Sequence, residues 1–256
     1  MRGTIPLRYL LSFTSGLDRE YQCIWNPCIS LKDCIDKIRD TPLVVMPDAV
    51  YFYGSTHLHV AARMAEVVSG QSWNALFAQY LHTPLGRSPE TTYYTAPRNR
   101  IGSINPVAAG GLVVSAHEYA KLLAVDFHKG VFQGATYARG ALFDEQAIES
   151  FPTATIGHSP FVKMGLPFRY GLGAWLECDT PSLGCDVISS LGAFGFTPWF
   201  DRATGYYAVL AMEQDTTTDN GVVAFSVDLA KQLKPLIAAA LSKQTQPNLN
   251  GLGCFI

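Results

Sequence analysis

The chain has 256 residues, 48% of them apolar and 16% charged, and its formal net charge is −2 at pH 7. That length and composition support one substantial core, hence one domain or one domain with a lobe. The balanced charge leaves no basic footprint for nucleic acid, and no apolar run approaches the roughly 18 residues of a membrane span, so neither is expected as a partner.

At the start, Met1-Arg2-Gly3-Thr4 and the short apolar stretch Tyr9–Leu11 do not read as a signal peptide. Residues 19–50 read as a loop-rich insertion punctuated by Pro27, Pro42 and Pro47, with a short helix over Leu31–Ile38. A helix is predicted over Thr56–Ser69, closed by Gly70, and another after the N-cap residue Ser72, where Trp73, Leu76, Phe77, Tyr80 and Leu81 repeat at helical spacing until Pro84 and Gly86. Ser115-Ala116-His117-Glu118 has the pattern of a capping box ahead of Tyr119, Leu122 and Leu123. Tyr170–Cys178, Cys185–Leu191 and Tyr206–Glu213 are short β-branched or aromatic runs that read as successive antiparallel strands. A last helix is expected over Val222–Leu241, kinked or broken at Pro235, and residues 243–256 read as a disordered tail after a domain over 1–242.

Of the six cysteines, Cys23, Cys28 and Cys34 cluster in the loop-like insertion, while Cys178 and Cys185 bracket a turn between two strand-like runs. Disulfides, the second pair spanning a hairpin, buried thiols and a metal site all remain open. None of the spacings is Cys-x-x-Cys, so no metal ligands are assigned. Disulfides would imply an oxidising compartment. His57 and His59, at i and i+2, do not share a helix face and read as solvated or core histidines. Gly157-His158-Ser159-Pro160-Phe161 lacks the last glycine of a nucleophile elbow, and Asp126, Asp144 and Glu145 read as surface charges.

Five segments carry the remaining chemistry. They are Thr4–Leu17 with Thr14-Ser15-Gly16-Leu17 at its end; Tyr51-Phe52-Tyr53-Gly54-Ser55 running into Glu66 and Gly70; Asn105–Ser115 with Ala109-Gly110-Gly111-Leu112; Tyr170-Gly171-Leu172-Gly173-Ala174-Trp175; and Ser189–Asp201. In this order they resemble the serine β-lactamase-like superfamily of class C β-lactamases and penicillin-binding-protein-like esterases. The resemblance implies an α+β, β-lactamase/transpeptidase-like fold, with an antiparallel sheet flanked by helices and a mostly helical lobe. It puts Tyr53 on the family's catalytic tyrosine, and Ser55, Ser190, Leu191, Gly192 and Ala193 on substrate-binding positions. Ser55 stands where the family usually has Asn, Ser190 where it has Lys or His, and Leu191 where it has Thr.

No serine here is followed three residues later by lysine, so the family's Ser-x-x-Lys nucleophile has no counterpart. The resemblance therefore implies a chain lacking the N-terminal strands and the nucleophile helix. The leading expectation is an N-terminally incomplete serine hydrolase, an esterase or amidase that is inactive alone, whose full-length parent is secreted or periplasmic. Two other readings stand beside it: a pseudoenzyme that binds a ligand, and a hydrolase using Ser12, Ser15 or Ser55. The expected partner is a small ester, amide or peptide substrate. The resemblance implies no cofactor and no metal, and leaves the oligomeric state open. With part of its core partner missing, the chain is expected to be marginally stable or aggregation-prone.

Overall fold

Serine side chains cap the starts of three α-helices in the structure, a computed structural model that describes residues 5–95, 103–214 and 221–244. The tail from residue 245, with Cys254, lies outside the described residues. After α1 (Leu7–Leu11) comes α2 (Leu31–Arg39), which opens on a full capping box: Ser30 Oγ accepts from Asp33 N at 3.1 Å and Asp33 Oδ2 accepts from Ser30 N at 3.3 Å. Helix α3 (Ser55–Ser69) ends at Gly70 with φ +71°, the left-handed conformation expected of a glycine stop. Ser72 caps α4 (Trp73–Phe77), which continues as a wider π-type turn through His82.

Helix α5 (Ala116–Phe127) forms only half of its predicted capping box. Ser115 Oγ accepts from Glu118 N, but the Glu118 carboxylate takes Ser88 N at 3.0 Å and Lys121 Nζ at 3.1 Å. After α6 (Gly140–Gln146), α7 (Gly221–Gln244) runs through Pro235 without the expected break. Pro235 and Lys231, whose carbonyl loses its donor, are both exposed, so water can meet that oxygen.

Strand β1 (Val50–Phe52) pairs in parallel with β6 (Thr155–His158), and β2 (Thr92–Tyr93) with β3 (Leu112–Val113) and β4 (Val131–Phe132) with β5 (Ala135–Thr136) form small antiparallel pairs. The main sheet holds β7 (Arg169–Tyr170), β8 (Trp175–Leu176), β9 (Val187–Ser189), β10 (Thr197–Asp201) and β11 (Tyr206–Leu210), all antiparallel, in the order 11-10-9-8-7. The run expected as one strand, Tyr170–Cys178, is instead the hairpin β7–β8. Its turn closes by Gly171 N to Ala174 O at 2.9 Å, with Gly173 at φ +77°.

The segment Ser189–Asp201 is divided into the end of β9, a turn and β10. Strand β10 is buried over Thr197–Phe200 although it contains Pro198. The Pro198 carbonyl accepts from Ser190 N, and by the pleat its ring nitrogen faces the same side, where β9 has already left for the turn. The one bond the proline forfeits is the return bond to Ser190 O, just past the end of β9.

Disulfides join Cys23 to Cys34 and Cys178 to Cys185, the latter across the connection between β8 and β9, and Cys28 is a free, exposed thiol. Three apolar clusters form the core. One lies between α5 and the sheet around Leu123, Leu176, Ile188 and Phe200; one lies under α2 and α3 around Leu10, Ile24 and Ile38. The third joins the two regions and contains the candidate site.

Candidate active site

Tyr53 sits in the two-residue link between β1 and α3. Its backbone is fixed from two directions, since Tyr53 N donates to His158 O at 3.0 Å and the neighbouring Phe52 N donates to Phe13 O at 2.9 Å. Phe13 holds φ +58°, a left-handed conformation that is costly for an aromatic residue. That backbone seats its ring, 2% exposed, at the centre of an aromatic group. The centroid distances from Phe13 are 4.7 Å to Tyr53, 4.8 Å to Tyr170 and 5.4 Å to His57. Trp175 closes the group from β8, 5.0 Å from Tyr53 and 4.6 Å from Phe161.

Leu191 belongs to this same cluster as a buried member, with Tyr53 packed against it. Two of the predicted site residues, far apart in sequence, are thus brought into one cluster. Ser190, Leu191, Gly192 and Ala193 form the turn that leads from β9 into β10. Gly192 N donates to Phe196 O at 2.9 Å and Gly195 N donates to Gly192 O at 3.0 Å. A Cβ on Gly192 would stand 2.8 Å from Phe196 O, so the tight turn requires glycine. Ser190 and Ala193 are exposed on its surface. The Ser190 side chain hydrogen-bonds with Tyr119, whose phenol pKa burial raises and this bond partly lowers.

Ser55 points elsewhere. Its N and Oγ both donate to Glu20 Oε1, at 2.9 and 3.0 Å, and no contact takes it to Tyr53 or the β9–β10 turn.

The electrostatics around Tyr53 hold its phenol neutral. Burial raises its pKa above the ordinary tyrosine value, a hydrogen bond with Trp175 opposes this, and the charge of Glu20 raises it further. Among the described residues, no lysine or arginine acts on it to favour the phenolate. Tyr51 beside it is raised in the same direction by burial and by Tyr170 and Tyr53, and its buried hydroxyl has no hydrogen-bond partner.

Two of the three serines considered as substitute nucleophiles, Ser12 and Ser15, are buried. Ser12 is 2% exposed and bonds Arg8 O and Thr14 Oγ1; Ser15 is 0% exposed and lies 2.8 Å from His57 Nδ1. Ser15 and His57 have the spacing of a nucleophile and base, but both are sealed from solvent, and burial lowers the His57 pKa to about 4. His59 is likewise buried, bound through Nε2 to Asn105 Oδ1 at 2.9 Å. The cavity beside Tyr51, bounded by Ser12, Thr14 and Tyr170, is only about 20 Å³, room for one water and no substrate. Among the described residues, no group of three or more His, Cys, Asp or Glu is arranged to hold a metal.

Gly157 and His158 of the segment Gly157–Phe161 end β6, and His158 Nε2 lies 2.9 Å from Arg19 Nη1. Asp126, expected as a surface charge, is half-buried at the end of α5, and Arg202 Nη2 comes within 3.7 Å of it. Phe13, Glu20 and Trp175 were not predicted as site residues. Trp175 stands in one of the five matched segments, whereas nothing local marks Phe13 or Glu20.

With this geometry described, the chain can be compared with known proteins. A family model described as Beta-lactamase matches residues 2–233. Penicillin-binding protein 4 of Amycolatopsis lactamdurans is 34% identical over 88 residues, an alignment covering 32% of this chain and 22% of that protein. The chain thus matches about a fifth of that relative's length. A candidate beta-lactamase from Bacteroides dorei DSM 17855 has a TM-score of 0.68 at 26% identity, covering 88% of this chain and 72% of that one. The structure of EstCE1, a hydrolase with promiscuous acyltransferase activity, has a TM-score of 0.60 at 17% identity, covering 87% and 71%. At that identity the likeness is one of fold. The architecture is the β-lactamase/transpeptidase-like one, mixed helix and antiparallel sheet.

Proposed function

From its membership of the beta-lactamase family, which the match over residues 2–233 establishes, we propose that this chain is the sheet and distal helical part of an acyl-transferring serine hydrolase. The substrate class is a small ester, amide or peptide. Tyr53 is the proton-handling residue of the site; Ser190, Leu191, Gly192 and Ala193 are the wall along which an acyl group lies, and Ser55, bound to Glu20, stands apart from that wall. The observation that carries this is the shared cluster of Tyr53 and Leu191, which brings the ends of two separate family segments together. Acyl transfer needs an activated nucleophile and donors for the oxyanion. The β9–β10 turn offers backbone groups for the second role. The first has no family nucleophile in this sequence, so the chain alone is read as inactive. Without a cation at the Ser190 and Leu191 positions, neutral esters and amides suit the wall better than carboxylate-bearing β-lactams. The two disulfides accord with a secreted or periplasmic parent.

One observation favours a second reading, a binding module without turnover: the neutral Tyr53 phenol has no cation to ionise it. A fluorophosphonate probe followed by intact-mass analysis and peptide mapping separates the readings. No adduct, together with saturation-transfer NMR signals from ethyl butyrate or butyramide that Gly192→Val abolishes, is the expected result for an inactive chain with a preserved acyl wall. An adduct on a named serine overturns the inactivity. Ester and amide signals that survive Gly192→Val in a folded variant overturn the site.

A further inference from the structure

Helix α3 begins without a side-chain cap of its own, because Gly54 occupies the cap position. Its first N–H groups still need acceptors, since a helix start leaves its leading donors unpaired. They find them in the dipeptide Arg19-Glu20. Ser55 N and Ser55 Oγ donate to Glu20 Oε1 at 2.9 and 3.0 Å, and Thr56 N donates to Arg19 O at 3.1 Å. The loop presses so closely on Gly54 that any Cβ there would collide with the Arg19 backbone. Arg19 also reaches the other side of the same corner, where Nη1 lies 2.9 Å from His158 Nε2 while His158 O accepts from Tyr53 N. Residues 53–55 are therefore held between one dipeptide and the end of β6. Of the charged side chains in this clamp, the Glu20 carboxylate is the one that acts on the Tyr53 phenol.

We propose that Glu20 is a positioning residue for Tyr53: its carboxylate fixes the start of α3, the helix entered directly after the tyrosine, while Arg19 and His158 hold the same corner, so that residue 53 keeps its place in the aromatic cluster. The physical logic is a single group with two effects. A carboxylate at a helix start satisfies N–H groups and suits the positive end of the helix dipole. The same charge beside a phenol disfavours a second negative charge. Tyr53 would then act by donating its proton or a hydrogen bond, for example to an acyl oxygen or a leaving group, and would need a cation from outside the present clamp to work as a base. The inference rests on Tyr53 belonging to the site.

The test uses the chain labelled with ¹³Cζ-tyrosine, with Tyr53→Phe to assign the resonance, and reads the Tyr53 shift at high pH in wild type, Glu20→Gln and Glu20→Lys. The phenolate fraction at a fixed high pH is expected to rise in that order, the titration moving downward on loss of the carboxylate charge. Amide exchange at Ser55 and Thr56 reads the clamp. Glu20→Gln keeps an acceptor and the protection; Glu20→Ala is expected to speed exchange about tenfold at Ser55, the effect of losing a helix cap. An identical Tyr53 shift in all three proteins, or unchanged Ser55 exchange in Glu20→Ala, overturns the proposal. The premise fails separately, in a different readout, if Tyr53→Phe leaves ester and amide binding intact while the Tyr53 resonance still follows the charge at position 20.

Discussion

Around α3, much of the fastening is done by buried polar pairs, whereas the five-stranded sheet is fastened by its ladder and by apolar side chains. His57 and His59, each 0% exposed, tie α3 to Ser15 and to Asn105, and each leaves its other ring nitrogen buried without a partner. The sheet has Leu176, Ile188 and Phe200 packed under α5, with ion pairs at its margins: Arg169 with Glu149, Lys234 with Glu177, and Arg202 with the half-buried Asp126. Both regions carry a disulfide. Two regions of one chain can therefore respond to acid and to mutation with different size and even opposite sign, and the candidate site lies on the seam between them.

The largest expected effect comes from breaking that seam. Trp175 is 2% exposed and touches Tyr53 and Phe161 from the sheet side, while Phe13 fills the α3 side. Trp175→Ala should cost about 3–5 kcal/mol in denaturant unfolding. It should also separate the two regions, giving non-coincident transitions by near- and far-UV circular dichroism. A single transition with a loss under about 1 kcal/mol would mean that the two regions do not depend on this cluster.

Acid should sharpen the contrast. Burial lowers the pKa of His57 and of His59 to about 4 from 6.5. Between those values the unfolded chain binds more protons than the folded one, so the stability of the α3 region is full above about pH 6.5 and lost as pH falls toward 4. The loss is at most about 3 kcal/mol for each histidine. Asp126 behaves oppositely: burial raises it from 3.8 to about 6, with Arg202 and Gln146 opposing the rise. Its ionisation burdens the folded state fully above about pH 6, and that burden is relieved as pH falls toward 4. Hydrogen exchange at pH 5 against pH 7 should show α3 losing protection while α5 and β10 keep or gain it. Asp126→Asn should remove the gain. Equal changes in both regions would break the comparison.

How much of this was legible beforehand follows the range of the interactions involved. Gly70, Ser72 and Pro84 act on their own neighbours, and the helix ends stand where those residues put them. The ordered family segments made the fold class legible. The turn inside Tyr170–Cys178 lies between two β-rich flanks with only Gly171 and Gly173 to mark it, and the break between β9 and β10 rests on a turn that Gly192 and Gly195 close. Its place at the end of the β9 ladder is a tertiary fact. The seam was illegible for the same reason. Phe13, Tyr53, Trp175 and Leu191 come from four segments, and only folding reveals that they meet. The Glu20 clamp depends on a loop pressed against Gly54, which no local pattern encodes.

Reducing the disulfides compares the regions at middle size. The loop closed by Cys23–Cys34 has a sequence separation of 11 and that closed by Cys178–Cys185 one of 7. Loop entropy assigns each about 2–3 kcal/mol, slightly more to the first. Paired Cys→Ala variants, melted one pair at a time, should rank in that order. A reversed order would show that the sheet hairpin depends on its bridge more than chain entropy requires.

The smallest effects should come from helix caps, one in each region. Ser115 makes a single cap bond to Glu118 N, and the Glu118 carboxylate is already engaged by Ser88 and Lys121. Ser115→Ala should therefore cost about 1 kcal/mol, the ordinary worth of an N-cap. Ser30 makes the reciprocal pair with Asp33, and its hydroxyl also donates to Asp33 Oδ2 at 2.7 Å. Those bonds, the side-chain one first, hold the Asp33 carboxyl below the usual aspartate range. Ser30→Ala should therefore lower the melting temperature more than Ser115→Ala, and NMR should find the Asp33 titration moving upward. If the two variants melt alike and Asp33 titrates unchanged, the box at α2 is no stronger than the half-box at α5, and cap chemistry does not distinguish the two regions.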